Sequence, residues 1–150
     1  MSIWKPSVTV AAIVERDGRF LFVEEEADGR RVLNQPAGHL DPGESLVAAC
    51  AREALEETAH RFTPTALVGV YRWVYPSQDV TFLRFAFAGR IDGIEAGRKL
   101  DAEIIAMHWL TREELLAKSA MHRSPLVVRC VDDFLSGRRF SLDVLSAEFA

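Results

Sequence analysis

Apolar residues fall along the chain in short, mostly β-branched runs broken by turn residues, with one long stretch of helix formers between them. Ser7 to Val14 (SVTVAAIV) and Arg19 to Val23 (RFLFV) flank Asp17-Gly18, a hairpin signal, so these runs are predicted to pair antiparallel with buried faces. Glu24-Glu25-Glu26 and Asp28 to Arg31 read as an exposed polar connection and a solvated edge, although Glu24 or Glu25 could face a site. Val32 to Ala37 (VLNQPA) has strand character that Pro36 ends. Ala66 to Tyr75 and Val80 to Gly89 form a second hairpin around Pro76-Ser77-Gln78-Asp79. Ile91 to Leu100 is polar and Gly-rich and reads as a loop, and Ile104 to Leu110 as a strand. A helix opens at Thr111, where Thr-x-x-Glu approaches a capping box, and another spans Pro125 to Leu135 before Ser136-Gly137.

The stretch from about Glu44 to Thr58 contains neither Gly nor Pro, and Asp41-Pro42-Gly43 before it is a turn that lets a helix begin. At about 100° per residue, Glu53, Glu56 and Glu57 share one arc, while Val47, Cys50, Ala51, Ala54 and Thr58 lie opposite. Carboxylates at i, i+3 and i+4 repel, each pair costing the helix a few tenths of a kcal/mol. Something must offset that cost. An all-oxygen anionic cluster suits a hard divalent cation bound through a few carboxylates and substrate phosphates, with Mg²⁺ first and Mn²⁺ as substitute. Arg52 can pair with Glu56 or with Glu44 and so hold the carboxylates in place. Glu-x-x-Glu-Glu alone is more often a solvated helix face.

The flanks change that balance. Residues 38–60 carry Gly38, Glu44, Arg52, Glu53, Glu56 and Glu57 at the spacing G-x5-E-x7-R-E-U-x-E-E-x-G-U, and so resemble the signature box of the Nudix hydrolases. Ala59 stands in place of the second Gly of the box and His60 in place of an apolar residue. The Gly would end the helix in a left-handed conformation that costs Ala roughly 1 kcal/mol, but no metal ligand is touched. The element order is similar to the family's across nearly the whole chain. That resemblance implies an α/β fold, an α/β/α sandwich around a mixed β-sheet. The segments KPSVTVA, FVEEE, NQPAGHL, FLRFAF, HRSPLVV and SGRRFSL further resemble a bacterial phosphatase group within the family. That group removes terminal phosphate from nucleoside di- and triphosphates and from hydroxymethylpyrimidine pyrophosphate.

The resemblance implies that the Gly38 carbonyl, Glu53 and Glu57 hold metal, and that Glu56 shares a second ion or orients the attacking water. Arg52, Glu53 and Glu56 make up the catalytic set within the box. Bases in this family come from outside it, and Glu103, with Asp101 nearby, is expected as auxiliary ligand or base, unless both merely cap the loop. Asn34 and Gln35 either bind substrate or hold the loop. Arg84 lies on an outer sheet face or reaches a phosphate or base edge. Tyr71, Trp73 and Tyr75 share one sheet face, where rings are more often core; Trp73 is the one expected to stack on a heterocycle if any does.

Composition narrows the partners. At 150 residues, 49% hydrophobic and 27% charged, the chain suits one domain over residues 1–150. A formal charge of −4 excludes a basic field for a nucleic-acid polymer, leaving a small phosphorylated substrate as the partner. No apolar run approaches about 20 residues, so no membrane span is expected. Cys50 and Cys130 read as reduced core residues, which suits a cytoplasmic protein, monomeric or homodimeric. ADP-ribose pyrophosphatases of the family carry a Pro downstream of the box, and Pro76 stands at about that distance; their reaction is the second reading. A nucleotide-binding module without catalysis is disfavoured by the complete set of Glu53, Glu56 and Glu57, and an isomerase by the short chain.

Overall fold

The computed structural model describes residues 2–145. In chain order the elements are Ser7–Ile13 (β1), Glu15–Arg16 (β2), Arg19–Ala27 (β3), Arg30–Asn34 (β4), Ala37–His39 (β5), the helix Leu46–Thr58 (α1), His60–Tyr75 (β6), Val80–Ile94 (β7) and Ile104–Leu110 (β8). The helices Arg112–Ala117 (α2) and Leu126–Leu135 (α3) follow. One sheet has the order β5-β1-β7-β6 and is mixed, β1 and β7 being parallel and the other pairs antiparallel. The other is built on β3, which pairs antiparallel with β2, β4 and β8.

Alternation along β1 divides the core in two. Val10, Ala12 and Val14 join Ala49, Cys50 and Ala54 of α1, whereas Ala11 and Ile13 join Val127, Cys130 and Val131 of α3. Phe87 faces α1, and its neighbours Ala86 and Ala88 face α3. Helices therefore cover both faces of the mixed sheet, as an α/β/α sandwich requires. Completely burying a side chain such as Phe87 contributes roughly 1.5–3 kcal/mol.

Four expectations are corrected. β1 and β3 do not pair along their length; next to the turn Glu15–Arg16 pair with Arg19–Phe20 and the Leu21 N–H donates to the Val14 carbonyl, while β1 itself lies between β5 and β7. A run apolar on both faces needs cover on both, which a central strand under two helical layers receives. Glu24 to Arg31 is no loose connection but part of a hairpin, with Glu24↔Leu33 and Glu26↔Arg31 as paired positions. β7 continues to Ile94 because β6 starts at once after α1, pairing His60 with Ile94. Helix α1 begins at Leu46 because Ser45 caps it, accepting from the Ala48 N–H at 2.9 Å.

Other expectations hold. β8 spans Ile104–Leu110, and Thr111 with Glu114 makes a complete capping box. Cys50 and Cys130 are buried and free. Among the described residues no helix is long and apolar enough to cross a membrane.

Candidate active site

Pro36 ends the approach from β4, and β5 then brings Gly38 against α1. A Cβ on Gly38 would fall on the Glu53 carboxylate, so glycine lets this strand come close without displacing that side chain. Glu53 and Glu57 are only 9% and 3% exposed. Glu53 and Glu57 are thus largely enclosed, whereas Glu56 beside them stays partly exposed.

Arg52 ties the loop before the helix to that side. Its Nε and Nη2 donate to Glu44 Oε2 and Oε1 at 3.0 and 2.7 Å, a two-pronged pairing. Nη2 also donates to the His39 carbonyl at 2.9 Å, and Nη1 to Glu53 Oε1 at 2.8 Å and Glu56 Oε1 at 3.3 Å. Glu44 Oε1 accepts the Asp41 N–H as well, closing the turn.

A second segment completes the cluster. The Asp101 N–H donates to the Glu56 carbonyl at 3.1 Å and the Glu95 N–H to the Ala59 carbonyl at 2.8 Å, strapping the loop before β8 to the end of α1. Carboxylate oxygens of Glu53, Glu56 and Asp101 then lie within 4.8 Å of one another, as do those of Glu57, Asp101 and Glu103. Asp101 is common to both groups.

Crowding and burial show in the titration of these acids. Burial, then the charges of Glu56 and Asp101, push Glu53 up to about 7 against the pull of Arg52. Burial pushes Glu57 up to about 9, assisted by Glu25, Glu53 and Asp101 and opposed by the Ala37 N–H, which donates to it at 2.9 Å. Asp101 is raised by burial and by Glu103 and Glu56. Protein charge alone leaves these acids under-neutralised. All the donors are oxygens, so the set fits a hard divalent cation.

A cleft of about 320 Å³ opens over the cluster, lined by Glu53, Glu57, Asp101 and Glu103 together with Glu25, Asn34, Trp73, Phe82, Arg84 and Arg123. Trp73 faces Phe82 across the β6–β7 pair, the rings stacked at 5.8 Å and 17°. Tyr71 sits deeper, its hydroxyl donating to Asp133 at 2.7 Å, and Tyr75 contacts Trp73 edge-on at 5.2 Å. Arg84, far from an outer face, is 6% exposed and donates to Gln35 Oε1 and Asn34 Oδ1, both at 2.9 Å. Gln35 is not among the residues lining the cleft. At 1% exposure, its amide bridges Arg84 and the Val127 carbonyl and so holds the loop to α3.

Glu56 contacts the cleft only through its neighbours in the cluster. Glu25 and Asp101 join the site residues expected from the sequence, both lining the cleft. Alternation along β3 could have placed Glu25, since it falls in register with Val23, but the polar run hid the strand. Phe82 follows from counting across the turn from Trp73. For Arg123 the local sequence carries no signal.

A carboxylate cluster on the helix of an α/β/α sandwich, beside an aromatic-lined cleft, offers an all-oxygen site for a hard divalent cation. Residues 4–130 match the NUDIX domain, and the chain belongs to the Nudix family. It is 40% identical over 143 residues to the phosphatase NudJ of Escherichia coli K12, covering 95% of this chain and 92% of that one. A Nudix hydrolase structure from Nitrosomonas europaea superposes with a TM-score of 0.94 at 49% identity, over 96% of this chain and 98% of that one. A MutT Nudix hydrolase from Burkholderia pseudomallei has the same fold at 19% identity, with a TM-score of 0.74 over 87% of this chain and 98% of that one. The chain is thus a Nudix hydrolase similar to NudJ, acting on anhydrides in phosphorus-containing compounds.

Proposed function

We propose that this protein removes the terminal phosphate from several nucleoside di- and triphosphates and from hydroxymethylpyrimidine pyrophosphate, with Mg²⁺, or Mn²⁺ in its place. The observation that carries this reading is one cleft holding the carboxylate cluster and the stacked pair Trp73 and Phe82 together. The 40% identity to a protein named as a phosphatase supports phosphate release. Stacking accepts any ring with a π-face, whereas strict selection needs buried polar groups that a wrong substrate leaves unpaired. A tolerant enzyme follows.

The Gly38 carbonyl, Glu53, Glu56 and Glu57 would hold the metal, with Asp101 reaching both carboxylate groups. Bound there, a divalent cation neutralises phosphate charge and acidifies water. Arg52 keeps Glu53 and Glu56 in place and Glu44 anchors Arg52. The oxygen of water attacks the terminal phosphorus, and the bond from that phosphorus to the bridging oxygen breaks. Its electron pair stays with the shortened organic phosphate. Glu103, at the exposed side of the cluster, takes the proton from water. Asn34 and Arg84 line the substrate cleft beside these acids, with Trp73 receiving the heterocycle.

The two core clusters draw on the same central strand, which supports one domain over residues 1–150. Pro76, which motivated the ADP-ribose reading, lies in the turn between β6 and β7 and is not among the residues lining the cleft.

The test is a panel of nucleotides, hydroxymethylpyrimidine pyrophosphate and ADP-ribose with Mg²⁺, scoring orthophosphate and pyrophosphate separately. Orthophosphate from several nucleotides, abolished by chelator and restored by Mg²⁺ or Mn²⁺, is expected. ADP-ribose cut far faster than every nucleotide would replace this reading.

A further inference from the structure

Three side chains that can carry positive charge line the cleft among the described residues: His39, Arg84 and Arg123. Arg84 is committed to Gln35 and Asn34, and Arg52 nearby to Glu44, Glu53 and Glu56. Arg123 differs. Its Nη1 is shut off from solvent and has no hydrogen-bond partner among the described residues. An unpaired charged donor is costly, and because the Arg123 side chain is only half-buried and lines the cleft, its guanidinium can turn to a partner that arrives there.

Its surroundings hold it ready. The Arg123 backbone N–H donates to the Leu33 carbonyl at 2.8 Å, and His122 beside it forms a bridge with Leu33. The guanidinium lies over the Tyr75 ring at 5.0 Å, and the Tyr75 hydroxyl is hydrogen-bonded to Asp28. Tyr75 in turn touches Trp73, and Arg123 lines the same cleft as Trp73, Phe82, Glu25 and Glu57, so it shares one cavity with the aromatic pair and the metal-type carboxylates. At the start of α3 next to it, the Leu126 and Val127 N–H groups already donate to Ser124.

We propose that Arg123 binds the phosphoryl group on the ring side of the scissile bond, leaving the terminal phosphate to the carboxylate cluster. This rests on the phosphohydrolase reading above and adds the residue that positions the substrate's remaining phosphate. The planar fork suits two phosphoryl oxygens, so lysine is only a partial substitute.

The test compares wild type, R123Q and R123K for calorimetric binding of inorganic tripolyphosphate and of a methylene-bridged nucleoside triphosphate, both with Ca²⁺, and for Mg²⁺-dependent turnover. R123Q is expected to weaken both ligands and raise KM on the order of 10-fold to 100-fold, with kcat within about threefold of wild type and thermal unfolding unchanged. R123K is expected to recover part of the loss. Tripolyphosphate binding equally well to wild type and R123Q, or to neither, would overturn the assignment. So would a loss confined to the nucleotide analogue, which would move Arg123 to the ring edge. Wild type that turned over no nucleotide would defeat the substrate reading, and tripolyphosphate binding would still decide Arg123.

Discussion

Glu57 gathers several demands in one side chain. It is 3% exposed, accepts the Ala37 N–H, and shares a carboxylate group with Asp101 and Glu103. Glu53→Gln and Glu57→Gln keep the volume and delete the charge, so each is expected to lower kcat on the order of 10³-fold, measured as phosphate release at saturating Mg²⁺. Circular dichroism should show the fold intact, since like-charge repulsion along α1 is relieved. Gly38→Ala probes the same carboxylate from the other side. Its Cβ would fall on the Glu53 carboxylate, and displacing a catalytic group by about 1 Å costs on the order of 10²-fold in rate. Turnover by Gly38→Ala at the wild-type rate would mean that Glu53 is free to stand elsewhere.

At the scale of elements, the exit of α1 is the departure with a physical cost. Ala59 takes the left-handed conformation, φ 59° and ψ 12°, with its N–H donating to the Leu55 carbonyl. The residue departs from the box, but the backbone keeps the shape that glycine would give. His60 is buried without strain on its polarity: its Nδ1 lies 2.7 Å from the Thr58 carbonyl and its ring meets Trp109 edge-on at 6.0 Å. Ala59→Gly is therefore expected to stabilise the protein by about 1 kcal/mol, raising Tm by about 2–4 °C in a chain of this size. A fall in Tm would show that packing of the Ala59 methyl outweighs the backbone term. The sharp exit also lets β6 start at His60 and positions Glu95 and Asp101 against the helix end.

For the whole molecule, the raised carboxyls link stability to pH and metal. Burial first, and neighbouring acids next, push Glu53 up to about 7 and Glu57 up to about 9 from an ordinary 4.5. The folded state thus holds protons that the unfolded chain releases, so their stabilising contribution is complete below about pH 4.5 and is lost as pH rises through 7 toward 9. In chelator, Tm is expected to fall between about pH 5 and pH 9. Glu57→Gln should flatten that slope. Excess Mg²⁺ should restore stability at the high end by binding only the folded cluster, about 2.7 kcal/mol at a hundredfold excess over Kd. A Tm that ignored both pH and Mg²⁺ would remove the buried-carboxyl account of the site.

The family and the box helix were legible in the sequence because their signals are local: helix periodicity, turn chemistry, and charges at set spacing between Gly38 and Glu57. So were β8, α3 and the Thr111 cap. The pairing of β1 was not, since a run apolar on both faces does not say which strands flank it. The polar composition of Glu24 to Arg31 hid a strand for a similar reason: pairing in register, not composition, holds it. In the site the division is the same. Gly38, Arg52, Glu53 and Glu57 come from one continuous segment, whereas Asp101 reaches it only through a loop strapped to the end of α1. Gln35 and Arg84 looked available for substrate, but in the folded chain their polar groups satisfy each other. Arg123 is brought to the cleft by the Leu33 contact, a partner 90 residues away in the chain. Sequence alone determined which charges the box helix carries; tertiary structure decided which are neutralised by protein and which are left for a ligand, because that depends on burial and on partners distant in the chain.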